Sequence, residues 1–228
     1  MNGILLLDKP MGWTSFDVVK KTKNILGGKI KVGHAGTLDP LATGLLIVLV
    51  GKATKQQDLY MKHDKIYEVS GTLGAISSTF DAEGEITESD VSLPSEENLS
   101  RVINSYLGDI EQTPPQYSAI KVDGQRAYKL AREGKMIEMK KRPVTIHSID
   151  NFQFEGKIFS FSVKVSSGTY IRSLIHDIGQ DVGCGAYTSQ LRRTSIADFS
   201  VDKSLPKEQW SEDSFTENII PLEKVSVS

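Results

Sequence analysis

Gly33-His34-Ala35-Gly36-Thr37-Leu38-Asp39-Pro40-Leu41-Ala42-Thr43-Gly44, followed at once by Leu45-Leu46-Ile47-Val48-Leu49-Val50-Gly51, is the stretch from which the rest of the chain can be read. Glycines at 33, 36 and 44 permit backbone conformations and close approaches that a side chain would block, so the first part reads as a shaped loop. Pro40 biases Asp39 away from helical geometry, so the loop presents this carboxylate. The apolar run has strand length and no polar alternation, which predicts a strand buried on both faces. Asp-Pro pairs are ordinarily turn starters. Here the pair shares its loop with the glycines, His34, Thr37 and Thr43, which strengthens a chemical reading.

The flanking chain has the makings of one α+β assembly. Ile4 to Leu7 predicts a buried strand, and Thr14-Ser15-Phe16-Asp17 resembles a capping box. Phe16, Val18, Val19, Thr22, Ile25 and Leu26 recur at helical spacing, so a helix is expected from about Ser15 to Leu26. Lys52 to Leu59 suits a short helix. Lys65 to Leu73 alternates as a half-exposed strand that turns Tyr67 and Val69 to the same side. Ser78 to Ser95 is acidic and Ser/Thr-rich and reads as a mobile loop. Ser95 caps a helix with Leu99, Val102, Ile103, Tyr106 and Leu107 on one face. Arg126 to Arg132 suits a short basic helix closed by Gly134. Val144 to Phe154 and Lys157 to Val165 form a hairpin at Glu155-Gly156. A second glycine loop, Ser166 to Arg172, then opens a helix bearing Ile171, Leu174, Ile175, Ile178 and Val182. Arg172 falls in its first turn, against the helix dipole, so some partner must favour it there. The last clear element runs from Ala186 to Ser200. The remainder is polar, with at most a short helix.

Composition narrows the function. The 228 residues, 39% hydrophobic and 25% charged, suit one large globular domain or one with a small appendage. A single cysteine, Cys184, and four scattered histidines speak against a disulfide framework and a metal centre. No signal peptide and no membrane-spanning run is evident, so the cytoplasm is the expected compartment. The net charge of −2 conceals polarity: Lys121 to Arg142 holds eight basic and three acidic residues, whereas Asp81 to Glu97 holds seven acidic and no basic ones. Such a chain can offer one cationic face to a phosphate backbone.

The histidines carry no local triad signature, and the glycine loops lack a Gly-Lys-Ser/Thr ending, which disfavours nucleotide hydrolysis. A lone acid with an arginine suits nucleophilic attack on a sugar or an electron-poor ring. An Asp-dependent nucleoside hydrolase and a non-catalytic RNA-binding or folding-assistance module are the competing readings.

The Asp39 loop resembles the signature of the bacterial tRNA pseudouridine-55 synthases. The similarity continues through Leu6-Leu7-Asp8-Lys9-Pro10, Asp64-Lys65-Ile66-Tyr67, Pro115-Gln116-Tyr117-Ser118-Ala119-Ile120-Lys121, Gly168-Thr169-Tyr170-Ile171-Arg172 and Leu191-Arg192-Arg193, spanning roughly residues 2 to 200. The resemblance implies the pseudouridine synthase fold, an α+β arrangement with a mixed, mostly antiparallel central sheet flanked by helices. It implies that Asp39 is the nucleophile, paired with Arg172, and that Tyr67 lies against a flipped uracil and removes the later proton. Leu191 would form the opposite wall, and Tyr170 would orient the Asp39-Arg172 pair. His34 would fill the gap left in the RNA loop, while Lys9 and Lys55 would support the site or the RNA backbone. No cofactor and no metal are implied. The expected partner is the T-arm stem-loop of tRNA, met by a monomer. The catalytic domain is expected over residues 1–200. Residues 201–228 read as a tail, without the family's usual separate C-terminal RNA-binding domain.

Overall fold

The structure, a computed structural model, describes residues 1–118, 120–122, 124–133 and 138–222, without the side chains of 121, 122, 126, 128, 129 and 132. Lys129 and Arg132 of the expected basic face, and Gly134 as a helix stop, therefore lie outside what is described. The chain forms two compact units, Met1–Glu68 together with Leu191–Ser228, and Val69–Gln190.

The first unit opens with β1 (Gly3–Lys9), α1 (Ser15–Ile25), β2 (Val32–Ala35), β3 (Thr43–Val50) and α2 (Gln57–Met61). Strand β4 (Lys65–Leu73) then leads into the second unit. That unit contains β5 (Ala75–Ser77), β6 (Ile86–Glu88), α3 (Glu96–Ser105), β7 (Gly108–Gln112), β8 (Lys121–Val122), β9 (Gln125–Arg126), α4 (Ala127–Arg132), β10 (Arg142–Glu155), β11 (Ile158–Val165) and α5 (Ile171–Asp181). Strand β12 (Ala186–Ile196) leads back, followed by β13 (Phe199–Ser200), α6 (Glu212–Asn218) and β14 (Ile220–Pro221).

In the first unit the strand order is β14-β1-β3-β12. Strand β1 runs antiparallel to β3 along its whole length, from Gly3 opposite Val50 to Lys9 opposite Gly44. The other edge of β3 is shared. Antiparallel β2 takes Ile47 to Val50, and parallel β12 takes Thr43 and Gly44. The strand is thus enclosed, as its unbroken apolar run requires. Leu45, Ile47 and Leu49 pack with Ile4, Leu6, Tyr60 and Ile196 on one face. Leu46, Val48 and Val50 pack with Leu5, Leu7, Val18, Trp210 and Phe215 on the other.

Two of those last partners come from the segment read as a polar tail. Ser211 caps α6, Phe215 is fully buried, and β14 pairs with β1. Two anchors separated by charged residues carry little periodicity, so the sequence understates how firmly this segment packs. The capping box is present as read, with Thr14 and Asp17 bonded reciprocally. Phe16, however, is 69% exposed, and Ser15 takes the buried place that the apolar spacing assigned to it.

In the second unit the strand order is β4-β11-β10-β7. Strands β10 and β11 form the expected hairpin, turning at Gly156 with φ 60°. Strand β7, absent from the sequence reading, pairs antiparallel with β10 from Arg142 opposite Gln112 to Ile146 opposite Gly108. Ser78 to Ser95 departs from the expected mobile loop: its Ile86–Glu88 portion pairs with β5, and Asp81 is only 2% exposed. Helix α3 starts at the Ser95 cap and buries Leu99, Val102 and Ile103, as its spacing indicated. Among the described residues, no helix is long and apolar enough to cross a membrane.

Helices α3 and α5 meet through the Tyr106 hydroxyl, which donates to Asp181 Oδ2 at 2.7 Å. Burial, and then the charge of Asp181, lift the Asp177 carboxyl to about 6. Because the folded chain holds this proton where the unfolded chain has lost it, the contribution to stability is complete below about pH 3.8 and is lost as pH rises through about 6. Asp177→Asn should therefore gain thermal midpoint over the parent at pH 7.5 relative to pH 4.5. A midpoint difference independent of pH would count against this assignment.

Candidate active site

Asp39 lies half-buried in loop 36–42, shorter at both ends than the sequence suggested because Val32–Ala35 and Thr43–Gly44 enter strands. Gly36 and Gly44 have φ of 88° and 101°, so both need glycine. Gly44 is also the point of closest strand approach, where a Cβ would meet the Arg193 carbonyl oxygen at 2.2 Å. Gly33 carries no such requirement, since a Cβ there would make only an ordinary contact with Thr54.

The loop is anchored on each side of the acid. The capping box fixes where α1 begins, which aims the buried Ser15 hydroxyl at Leu38. Ser15 Oγ accepts from the Leu38 N–H at 2.8 Å and donates to its carbonyl at 3.1 Å. On the other side, the Pro40 carbonyl accepts from Gly12 N at 2.8 Å and from Lys9 Nζ at 3.3 Å. Lys9 is fully buried, and its ammonium also donates to the carbonyls of Pro10 and Trp13. A desolvated ammonium needs such acceptors, so the same contacts that stabilise Lys9 hold the Met11-Gly12 turn against the loop.

Strand alternation distributes the remaining ions. On β12, Arg193 points inward at 1% exposure, with Nε on the Leu45 carbonyl at 2.8 Å and Nη2 on the Gly36 carbonyl at 3.0 Å. Its neighbour Arg192 faces the other way and takes Asp8 in a two-pronged pair at 2.7 and 3.1 Å. Leu191 is buried on this strand, and Tyr67 is buried on β4 at 7% exposure, on the side of the strand that the alternation indicated. Two residues before Tyr67 on the same side, the Lys65 ammonium donates to the carbonyls of Met61 and His63. Burial, and secondarily the charge of Arg193, pull its pKa down to about 8. His34 lies on β2 opposite Val48, and Lys55 is exposed on the 3₁₀ turn Gly51–Gln56.

In the second unit Arg172 is 4% exposed. Its guanidinium forms an ion pair with Asp81 at 3.1 Å and donates to the carbonyls of Thr79 and Tyr117 at 2.8 and 2.9 Å. This offsets the unfavourable dipole at the start of α5. Asp81 is itself set by Thr79 Oγ1 and by Glu83 N at 3.0 Å, both donating to Oδ1. Tyr170, the residue before α5, is fixed through its main chain. Its N–H donates to Gln112 Oε1 at 2.8 Å, and its carbonyl accepts from Gln112 Nε2 at 3.0 Å. Next to Asp81, Phe80 adopts φ 65° and stacks on His176 with ring centroids 3.8 Å apart. Burial keeps that imidazole below its usual pKa.

Residues 23–171 match the model of the TruB family of pseudouridylate synthases, N-terminal domain, and residues 172–225 match the tRNA pseudouridylate synthase B C-terminal domain. The chain belongs to the TruB family. It is accordingly an isomerase that makes pseudouridine from uridine. A tRNA pseudouridine synthase B of Clostridium acetobutylicum is 47% identical, over 98% of this chain and 77% of its own length. One from Endomicrobium trichonymphae is 43% identical over 97% of both chains. Among solved structures, a Cbf5-Nop10-Gar1 complex is similar at a TM-score of 0.75 and 32% identity, over 97% of this chain and 60% of that one.

Of the residues singled out from the sequence of this TruB-family chain, Asp39, Tyr67, His34, Lys9, Lys55 and Leu191 belong to the first unit, Arg172 and Tyr170 to the second. The sequence reading missed Ser15, Asp81, Gln112 and Arg193. Ser15 had one signal, its position inside the capping box. Asp81 and Gln112 had none, because an acid in a Ser/Thr-rich stretch and a glutamine at a strand end look like surface.

Proposed function

We propose that the protein converts the T-loop uridine of tRNA, position 55, to pseudouridine, with Asp39 as nucleophile. Asp39 attacks the flipped uridine at the base ring or at the ribose carbon, and the glycosidic bond breaks. The uracil turns in place, a carbon–carbon bond to the ribose forms, the bond to Asp39 breaks to return its carboxylate, and the Tyr67 hydroxyl relays the proton from the base carbon toward the ring nitrogen freed from the ribose. The atoms are rearranged without net oxidation or reduction, so the reading needs no cofactor. Arg172 keeps Asp39 ionised and oriented, with Tyr170 steadying the pair. Tyr67 and Leu191 flank the uracil and exclude water from the cleaved sugar. His34 occupies the gap left in the RNA loop, and Lys9 and Lys55 serve as loop support and RNA contact. Extraction of the base costs a few kcal/mol, and stacking on an aromatic ring returns about 1–3 kcal/mol. The protein acts as a monomer in the cytoplasm on this reading.

The observation that carries the proposal is the immobilised Asp39 loop, bonded at Gly36, Leu38 and Pro40 by Arg193, Ser15, Lys9 and Gly12. A nucleophile held this way meets its target with little reorganisation. Incubating the protein with an unmodified T-arm stem-loop, digesting the RNA and analysing its nucleosides should yield pseudouridine at position 55 alone. Free uracil in place of pseudouridine would instead indicate a hydrolase.

A further inference from the structure

The functional reading leaves unused the helix that carries Ser15. Residues 13–31 hold five lysines and one acid, a net charge of +4 in a chain of −2 overall. Lys20, Lys21, Lys23, Lys29 and Lys31 are all exposed. The lone acid, Asp17, is engaged by the Thr14 N–H and hydroxyl at 2.9 and 2.6 Å. Lysines on a surface helix are ordinarily just solvated, but three further features set this face apart.

A shallow groove between the turn and the helix is lined by Gly12, Trp13, Asp17, Lys20, Lys21 and Asn24. Trp13 is fixed edge-on against Trp210, with centroids 5.9 Å apart, and Lys207 Nζ lies 4.8 Å from its ring centroid. Next in sequence to the lining residues Gly12 and Asp17 are two large apolar side chains that the fold does not bury, Met11 at 61% and Phe16 at 69% exposure. Their chain neighbours bond directly to the loop of the acid: Gly12 to Pro40, and Ser15 to Leu38. The face therefore combines ammonium point charges with an exposed aromatic ring on a helix whose first turn is bonded to the Asp39 loop, the composition that holds a nucleic-acid strand by phosphate and base.

We infer that the groove between the Met11–Trp13 turn and α1 docks the RNA strand next to the target nucleotide, Lys20 and Lys21 taking phosphates and Phe16 stacking a base. The inference rests on the functional reading above and names where that RNA lies. It differs from the sequence expectation, which placed the cationic face in residues 121–142.

Binding of the T-arm stem-loop to the full chain, measured across a salt series, tests it. Lys20→Ala/Lys21→Ala should lower the slope of log affinity against log salt by about 0.7–0.9 for each lost phosphate contact. Phe16→Ala should weaken binding by at least about fivefold without changing the slope. All three side chains are exposed, so the variants should keep the parent's thermal midpoint. Unchanged slope and affinity in both variants would overturn the assignment and send the RNA elsewhere. A concentration-dependent dimer abolished by Phe16→Ala would give the face to a second copy and overturn it too. A parent that binds the RNA but makes no pseudouridine would defeat the functional reading and leave the slopes to judge the groove. A parent that binds no RNA would defeat both.

Discussion

Asp39→Asn should abolish pseudouridine formation, slowing it by on the order of 10⁴-fold or more, while the T-arm stem-loop binds no more weakly than to the parent. The amide has the shape of the acid, and the contacts that hold the loop run through the backbone of Gly36, Leu38, Asp39 and Pro40. What is lost is the charge that makes the group a nucleophile. Removing a negative charge beside an RNA backbone cannot weaken the complex by electrostatics. Thermal melting, binding and single-turnover nucleoside analysis on one preparation separate these terms. Measurable turnover by the variant would reject Asp39 as nucleophile, and a variant that retained every cellular role of the parent would favour a tRNA-binding module over an enzyme.

Asp81→Ala should be the most damaging change away from Asp39. Asp81 and Arg172 are both nearly inaccessible, with side chains 3% and 5% exposed. Deleting the carboxylate breaks a buried ion pair by removing one of the guanidinium's partners, which costs about 3–5 kcal/mol and should lower the melting midpoint by roughly 10 °C in a chain of this size. Asp81→Asn keeps a hydrogen-bond acceptor for Arg172 and should lose less stability. Its pseudouridine-forming rate should still fall, because the guanidinium proposed to orient Asp39 has lost its fixed counter-charge. A melting midpoint for Asp81→Ala within a degree or two of the parent would show that the pair contributes no net stability.

Local signals identified much of the scaffold. The unbroken run Leu45 to Val50 required burial on both faces, and it is enclosed by two clusters built from its alternate residues. The capping box, the Ser95 cap and the hairpin at Gly156 all depend on interactions within a few residues, so their spacing reveals them. The positive φ of Gly36 and Gly44 is likewise a property of single residues.

The half-buried alternation of Lys65 to Leu73 and an arginine needing compensation at the start of a helix were determined by the sequence alone, and the proposal of Asp39 as nucleophile starts from the same source. Tertiary structure alone decided what compensates that arginine and what holds the acid's loop. Asp81 and Arg172 lie 91 positions apart in the chain, Ser15 and Leu38 lie 23 apart, and Arg193 and Gly36 lie 157 apart. The physical reason is burial. A polar side chain has the same spacing signature whether water or a distant carbonyl satisfies it, and only folding removes the water and makes the long-range partner obligatory.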